Sequence, residues 1–305
     1  MVPKFSALVV LFIIELCRSM PCEGPCDEFP SESLLQMKLA VEAEEPYVIF
    51  SLTTIGPRIE HIKETLDALV EKQTRPPDKV FLLVPPEVKL PEWLLHYDDK
   101  SSRPGVLQTL TMPYDYGPSS KLLGALDNIP SHRWNDTLVI YGDDDMHYGA
   151  NMVDTHIKAQ QGHVKTAFGT RKINAAGISF LEATGTISVY ASVVPREVFK
   201  VKDASIECRL SDDFFLGYHL SQAGVKAELI GKCKYSFSAS KWPSDCDTYP
   251  LQIWKLNALS HVSADKAGME KRSQERNFKS QLLRYKTCGK QLGLDTAVAS
   301  GEQSL

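Results

Sequence analysis

Three consecutive carboxylates, Asp143, Asp144 and Asp145, follow directly on the apolar run Leu138-Val139-Ile140-Tyr141 and on Gly142. Adjacent acids repel one another, and withdrawing them from water is costly unless a cation compensates. In strand-like backbone Asp143 and Asp145 point the same way and Asp144 points away. That makes an Asp-x-Asp clamp suited to a hard divalent ion carrying a phosphate ligand; alone, the triplet also reads as a solvated acidic turn. A second pair, Asp212-Asp213, precedes Phe214-Phe215-Leu216-Gly217. Ser211 is expected to cap a helix there, with both acids in its first turn and its end near Gly224. Helix-dipole pairing would account for one such acid. Two acids against aromatic surface imply a partly desolvated carboxyl, whose raised pKa suits a general base. Lys121 follows Gly117-Pro118-Ser119-Ser120, where a helix start plus an ammonium offers an anion site; a capped surface helix with a solvated lysine is the alternative.

These groups need a scaffold. Leu138 to Tyr141 reads as a strand buried on both faces, as in a parallel sheet. Gly142 would let the chain turn, so that the acids land in the crevice where open α/β sheets bind ligands. Tyr47 to Leu52 and Val80 to Val84 are similar runs, and between them Ile59, Ile62, Leu66 and Leu69 recur at helical spacing. Strand, helix, strand in under forty residues is a right-handed βαβ unit, so a parallel α/β architecture follows. Residues 85–113 are Pro-rich and read as irregular, anchored by Trp93 and Leu94. A helix is expected over Asn151 to Gln161 and a short strand over Thr166 to Gly169. Ala183 to Tyr190 reads as a small-residue loop able to approach a ligand closely, and Pro195 as the start of a helical turn. Ser263 to Lys290 is expected to be a basic helix with Phe278, Leu282 and Tyr285 on one side, followed by a disordered tail.

With 305 residues the chain has room for one large α/β domain or two small ones. A formal net charge of −4 gives no reason to expect nucleic acid as a partner. Lys4, the apolar run from Phe5 to Leu16 and Cys17-Arg18-Ser19 predict a signal peptide over 1–19, too short for a comfortable membrane span; an uncleaved anchor is the alternative. Residues 20–45, with Pro21, Pro25 and Pro30, read as a leader segment. Setting Cys17 aside leaves Cys22, Cys26, Cys208, Cys233, Cys246 and Cys288, an even set in a secretory setting. Disulfides are expected, with Cys233 and Cys246 the first pair because they bracket a Ser-rich, Pro-containing loop. Asn135-Asp136-Thr137 is a glycosylation sequon in the polar turn before the central run. The expected location is the lumen of the secretory pathway or outside the cell.

Four motifs, taken in order, carry a resemblance. Ser51-Leu52-Thr53-Thr54 with Pro57-Arg58, then Gly117-Pro118-Ser119-Ser120-Lys121, then Asp143-Asp144-Asp145, then Asp212-Asp213 before Phe214-Phe215-Leu216-Gly217 resemble the GT-A fold glycosyltransferases, closest to the family 2-like inverting enzymes. They span roughly residues 46–232. The resemblance implies a Rossmann-like, mixed but mainly parallel sheet flanked by helices, with the GT-A domain over 46–262 and a basic helix and tail over 263–305. It implies that the loop from Thr53 to Arg58 holds the nucleotide base and ribose, and that Lys121 contacts donor phosphate or base. It implies that Asp143 and Asp145 hold manganese or magnesium, with Asp145 the direct ligand, and that Asp213 is the base. Asp212 stands where the family more commonly has Glu, so the base role is open to either acid. The family's downstream metal-binding histidine has no clear counterpart beyond His261.

The implied reaction displaces a nucleoside diphosphate from a nucleotide-sugar, with a glycan or other hydroxyl acceptor and inversion at the sugar. Two other readings stand beside it. One is a catalytically inactive relative that binds nucleotide or glycan. The other is a metal-dependent phosphoesterase, for which Asp145 and His147 are the acid and histidine considered at ligand spacing.

Overall fold

Runs of β-branched, aromatic and leucine residues frame the molecule. The computed structural model describes residues 45–56, 58–183, 185–230, 252–254 and 274–294. Tyr47–Thr53 is β1, and the helix predicted after it is a 3-10 turn, Ile59–His61, followed by α1, Lys63–Val70. β2 spans Lys79–Val84. The region expected to be irregular holds two short helices, α2 (Glu92–Leu95) and α3 (Tyr97–Lys100), and a strand, β3 (Leu107–Thr111). That strand lies at the sheet edge, where Leu-Gln-Thr-Leu-Thr is only half-buried and carries no strong apolar signal.

α4 (Ser120–Asn128) leads to β4 (Thr137–Gly142), the central apolar run, which is buried along its whole length. β5 (Met146–Tyr148) follows the acids, then α5 (Met152–Gln160), β6 (Thr166–Gly169), β7 (Lys172–Ala175) and β8 (Ile178–Leu181). β9 (Thr186–Tyr190) occupies most of the stretch expected to be a loop. Its Ile187 and Val189 face one core, while Thr186 and Ser188 turn their hydroxyls to the buried His156 on α5, at 2.7 and 2.8 Å. Small hydroxyl residues therefore serve here as satisfied strand interior, not as loop. Pro195 precedes a 3-10 segment, Arg196–Asp203, as expected. α6 (Ile206–Arg209), α7 (Asp212–Gln222), β10 (Lys226–Leu229), β11 (Gln252–Trp254) and α8 (Gln274–Gln291) complete the order.

The main sheet has seven strands in the order β10-β6-β9-β4-β1-β2-β3. β1 pairs in parallel with β2 and β4, β2 with β3, and β10 with β6, while β9 is antiparallel to both its neighbours. The mixed, mainly parallel sheet flanked by helices is therefore as expected. Strand alternation splits the core in two. Val48, Phe50, Leu52, Leu138 and Ile140 pack on α1 and α5, and Ile49, Val139, Tyr141, Ile187 and Val189 pack on α4, α7 and the end of α8.

Tyr285 and Cys288 on α8 are buried in that second core, with Leu282 packed beside them. The side chain of Phe278 lies outside the described residues, as do residues 1–44, Pro57, Cys233, Cys246, His261 and the tail. Among the described residues no helix is long and apolar enough to cross a membrane. A disulfide joins Cys208 to Cys288, two of the six cysteines expected to pair.

Candidate functional site

Parallel pairing brings the carboxyl ends of β1 and β4 side by side, and the charged groups collect there. The three acids do not alternate as an extended strand would place them. Asp143 faces Lys121 on α4, whose ammonium donates to its Oδ1 at 3.0 Å. Asp144 and Asp145 instead share Arg58, whose Nη2 lies 3.0 Å from Asp144 Oδ1 and 2.5 Å from Asp145 Oδ2. The backbone departs from strand geometry at Asp143, so the alternation rule no longer applies. Two side-chain hydroxyls hold this bend. Thr65 on α1 donates to the carbonyls of Asp144 and Met146, at 3.1 and 2.9 Å, and Tyr148 donates to the carbonyl of Asp143 at 2.6 Å.

Gly142 matters for space and not for turning. A Cβ there would lie 2.4 Å from the Tyr148 hydroxyl and 2.8 Å from the Gly185 carbonyl. Only a residue without a side chain lets Tyr148 reach under the acids.

The second acid pair opens α7, but Ser211 makes no side-chain capping bond. Asp212 Oδ2 lies 3.0 Å from Lys121 Nζ, and Asp213 Oδ1 lies 3.9 Å from it. Asp213 Oδ2 accepts the backbone N–H of Ala183 at 3.0 Å. Lys121, only 5% exposed, is thus a single ammonium shared among Asp143, Asp212 and Asp213. The lysine expected to face an anionic ligand is committed to these carboxylates. Thr53 stays outside this network, its hydroxyl donating to the Leu83 carbonyl at 3.0 Å.

Burial and crowding shape the protonation of the cluster. Burial works against the Lys121 ammonium, yet Asp143, Asp212 and Asp213 outweigh it and raise its pKa well above the ordinary lysine value. Burial raises Asp143 despite Lys121, and pushes Asp144 up to about 7 against the pull of Arg58 and Thr54. Asp213 is driven well above the carboxylate range by burial and then by Asp212, with Lys121 opposing. The expectation of a raised carboxyl beside aromatic surface holds in direction. A buried ion pair, Arg171 with Glu182, stands next to it, and Glu182 adds to the Asp213 shift. Thr65, Tyr148, Glu182 and the Ala183 amide were not singled out from the sequence. Only Tyr148, five residues past the first acid in an apolar setting, carries a local signal.

Five carboxylates therefore face two cations, Lys121 and Arg58. That excess of hard oxygen donors fits a divalent cation, with Asp143 one-third and Asp145 17% exposed and so open to solvent. Among the described residues no three His, Cys, Asp or Glu side chains form a ready cage. Ions of the magnesium type are commonly held by one or two carboxylates plus water and substrate phosphate, so a closed cage is not required. The His147 side chain lies outside the described residues.

Compared by sequence, no known family and no curated protein matches this chain. Compared by structure, it is similar to 4-diphosphocytidyl-2C-methyl-D-erythritol synthase, at 10% identity and a TM-score of 0.39 over 67% of this chain and 96% of that one. It is also similar to S. aureus TarS 1-349, at 13% identity and a TM-score of 0.38 over 56% of this chain and 55% of that one. At these scores neither likeness carries an argument, and the fold assignment rests on the strand order.

Proposed function

We propose that this protein is a divalent-cation-dependent glycosyltransferase that moves a sugar from a nucleotide-sugar to a hydroxyl acceptor with inversion. The observation that carries the reading is the concentration of five carboxylates, two of them partly open, around only two cations at the carboxyl ends of β1 and β4. Asp143 and Asp145 would hold manganese or magnesium, which when bound stabilises negative charge on the departing diphosphate. Arg58, on the loop after β1, stands beside Asp145 and would orient the nucleotide. Asp213 is held through Oδ2 by the Ala183 amide, and its Oδ1 makes no hydrogen bond. That oxygen would take the proton of the acceptor hydroxyl as the acceptor oxygen bonds to the anomeric carbon and the bond to the diphosphate breaks. Lys121 opposes burial and Asp212 at this carboxyl and so favours its ionised form.

The Cys208–Cys288 bond supports a secretory location, because such bonds persist in oxidising compartments. Asn135 is exposed and precedes the amino end of β4, with the acids past its other end, so a glycan there would leave the crevice clear.

One observation favours a second reading, a catalytically inactive nucleotide- or glycan-binding protein. The Asp213 carboxyl has its pKa well above the usual range, because of burial and Asp212, and a protonated carboxyl accepts no proton. Incubating the full chain with a panel of nucleotide-sugars and manganese separates the two. Sugar release or transfer supports the enzyme; tight nucleotide binding without turnover supports the binder. Calorimetry with UDP and GDP tests the cation, and affinity unchanged by chelator would remove the role given to Asp143 and Asp145.

A further inference from the structure

We infer that the C-terminal helix α8 positions the acid pair of α7, with Tyr285 as the positioning residue and the Cys208–Cys288 bond as its tether. This rests on the base role proposed for Asp213. Asp213 is held between two segments, the start of α7, where it sits, and the end of β8, whose chain continues to the Ala183 amide that binds its Oδ2. Tyr285 touches both. Its ring stacks on Phe214, the residue after Asp213, with centroids 5.4 Å apart and planes at 17°. It meets Phe180, three residues before Ala183, edge-on at 5.3 Å and 83°. Phe180 and Phe214 close the triangle at 5.4 Å and 90°. Offset-stacked and edge-to-face arrangements at these separations are attractive beyond the area they bury.

Further contacts hold the same geometry. Gly217, one turn along α7, leaves no room for a Cβ, which would lie 2.3 Å from Phe180 Cβ, so α7 rests directly on β8. The Tyr218 hydroxyl donates to the Leu292 carbonyl just past α8, at 3.1 Å. The disulfide then joins α8 to α6, four residues ahead of Asp212. Repulsion between Asp213 on α7 and Glu182 just past β8 acts across the junction of the two, and this clamp opposes it. The other core, formed by Val48, Phe50, Leu52 and Leu82 with α1 and α5, does not include Tyr285. Loosening the clamp is therefore a local event.

Hydrogen exchange on the full chain tests this without assuming any reaction. Tyr285→Ala is expected to speed exchange in peptides covering 180–183 and 211–216 by about tenfold or more, while peptides covering α1 and α5, whose buried residues lie in the other core, stay unchanged. Tyr285→Phe keeps the ring and should stay much closer to the wild type than Tyr285→Ala; Cys208→Ser with Cys288→Ser should fall between. Tyr285→Leu replaces Tyr285→Ala if the latter does not fold. In a transfer assay the Ala variant should lose roughly 10- to 100-fold in kcat with the donor KM unchanged. Unchanged exchange at 180–183, or uniform acceleration that includes α1 and α5, would overturn the positioning role, as would a Phe variant as impaired as the Ala variant. A wild type that transfers no sugar but shows the local exchange pattern would overturn the glycosyltransferase reading and leave α8 as the clamp of α7.

Discussion

At the scale of single residues, Lys121 changes meaning between sequence and structure. A lysine near a helix start was expected to meet a donor phosphate; instead it lies buried among Asp143, Asp212 and Asp213. Replacing it should leave buried carboxylates without their cation, a loss of about 3–5 kcal/mol for a broken buried pair. Lys121→Met should therefore shift the urea midpoint strongly, whereas a lysine that only touched donor would leave stability untouched. In the proposed reaction the acids divide by task. Asp213→Asn is expected to abolish transfer while donor and metal affinity stay near wild type, because a base acts on the acceptor. Asp145→Asn should weaken metal-dependent donor binding and transfer together. Measuring nucleotide affinity by calorimetry beside turnover checks both, and wild-type turnover by Asp213→Asn would remove it as the base. Asp212→Asn is the control: if it too leaves turnover unchanged, the pair serves only to hold Lys121 and the start of α7.

At the scale of elements, a buried imidazole and the Gln160 amide join α5 to β9. His156 contacts Ser188 and Thr186, and burial lowers its pKa to about 3 from 6.5. A folded pKa below the unfolded one means that the unfolded chain takes up the proton first as pH falls. The His156 contribution is thus fully present above about 6.5 and is lost towards 3, by about 1.4 kcal/mol per pH unit in that window. The raised carboxyls of Asp144 and Asp213 have the opposite sign, being most favourable at low pH, so the comparison must be made with a variant. Stability of wild type minus that of His156→Gln, from urea unfolding at pH 7.5, 5.5 and 4.5, should shrink as pH falls. A constant difference would refute the buried neutral imidazole. Where β4 ends, Gly142→Ala would drive a methyl against the Tyr148 hydroxyl and the Gly185 carbonyl. A loss of about 1–3 kcal/mol in thermal unfolding is expected.

At the scale of the whole molecule, the chain from α6 to α8 closes on itself through Cys208 and Cys288, 80 residues apart. A loop of that length predicts a stabilisation of about 4 kcal/mol from restricting the unfolded chain. Alkylation of the native protein followed by mass spectrometry should find Cys208 and Cys288 protected until a reductant is added with denaturant. Free thiols at both positions in native material would contradict the pairing. Cys208 and Cys288 are buried, so reduction without unfolding should be slow.

The apolar runs at β1, β2 and β4 were legible because parallel strands are buried on both faces and need no partner to announce themselves. The acids after β4 and before α7 were legible for a related reason: consecutive carboxylates beside buried strand or aromatic surface are hard to explain by local structure alone. β3 and β9 were not, since an edge strand and a strand with hydroxyls facing a buried histidine look like loop until their neighbours are in place. The division of Asp143 from Asp144 and Asp145, and the gathering of both acid groups on Lys121, depended on tertiary structure. Spacing along the chain fixes direction only within one regular element, and these groups lie on four: the loop after β1, α4, the bend after β4 and the start of α7. The disulfide partner was likewise decided in space, because six cysteines carry no pairing information until α8 returns to α6.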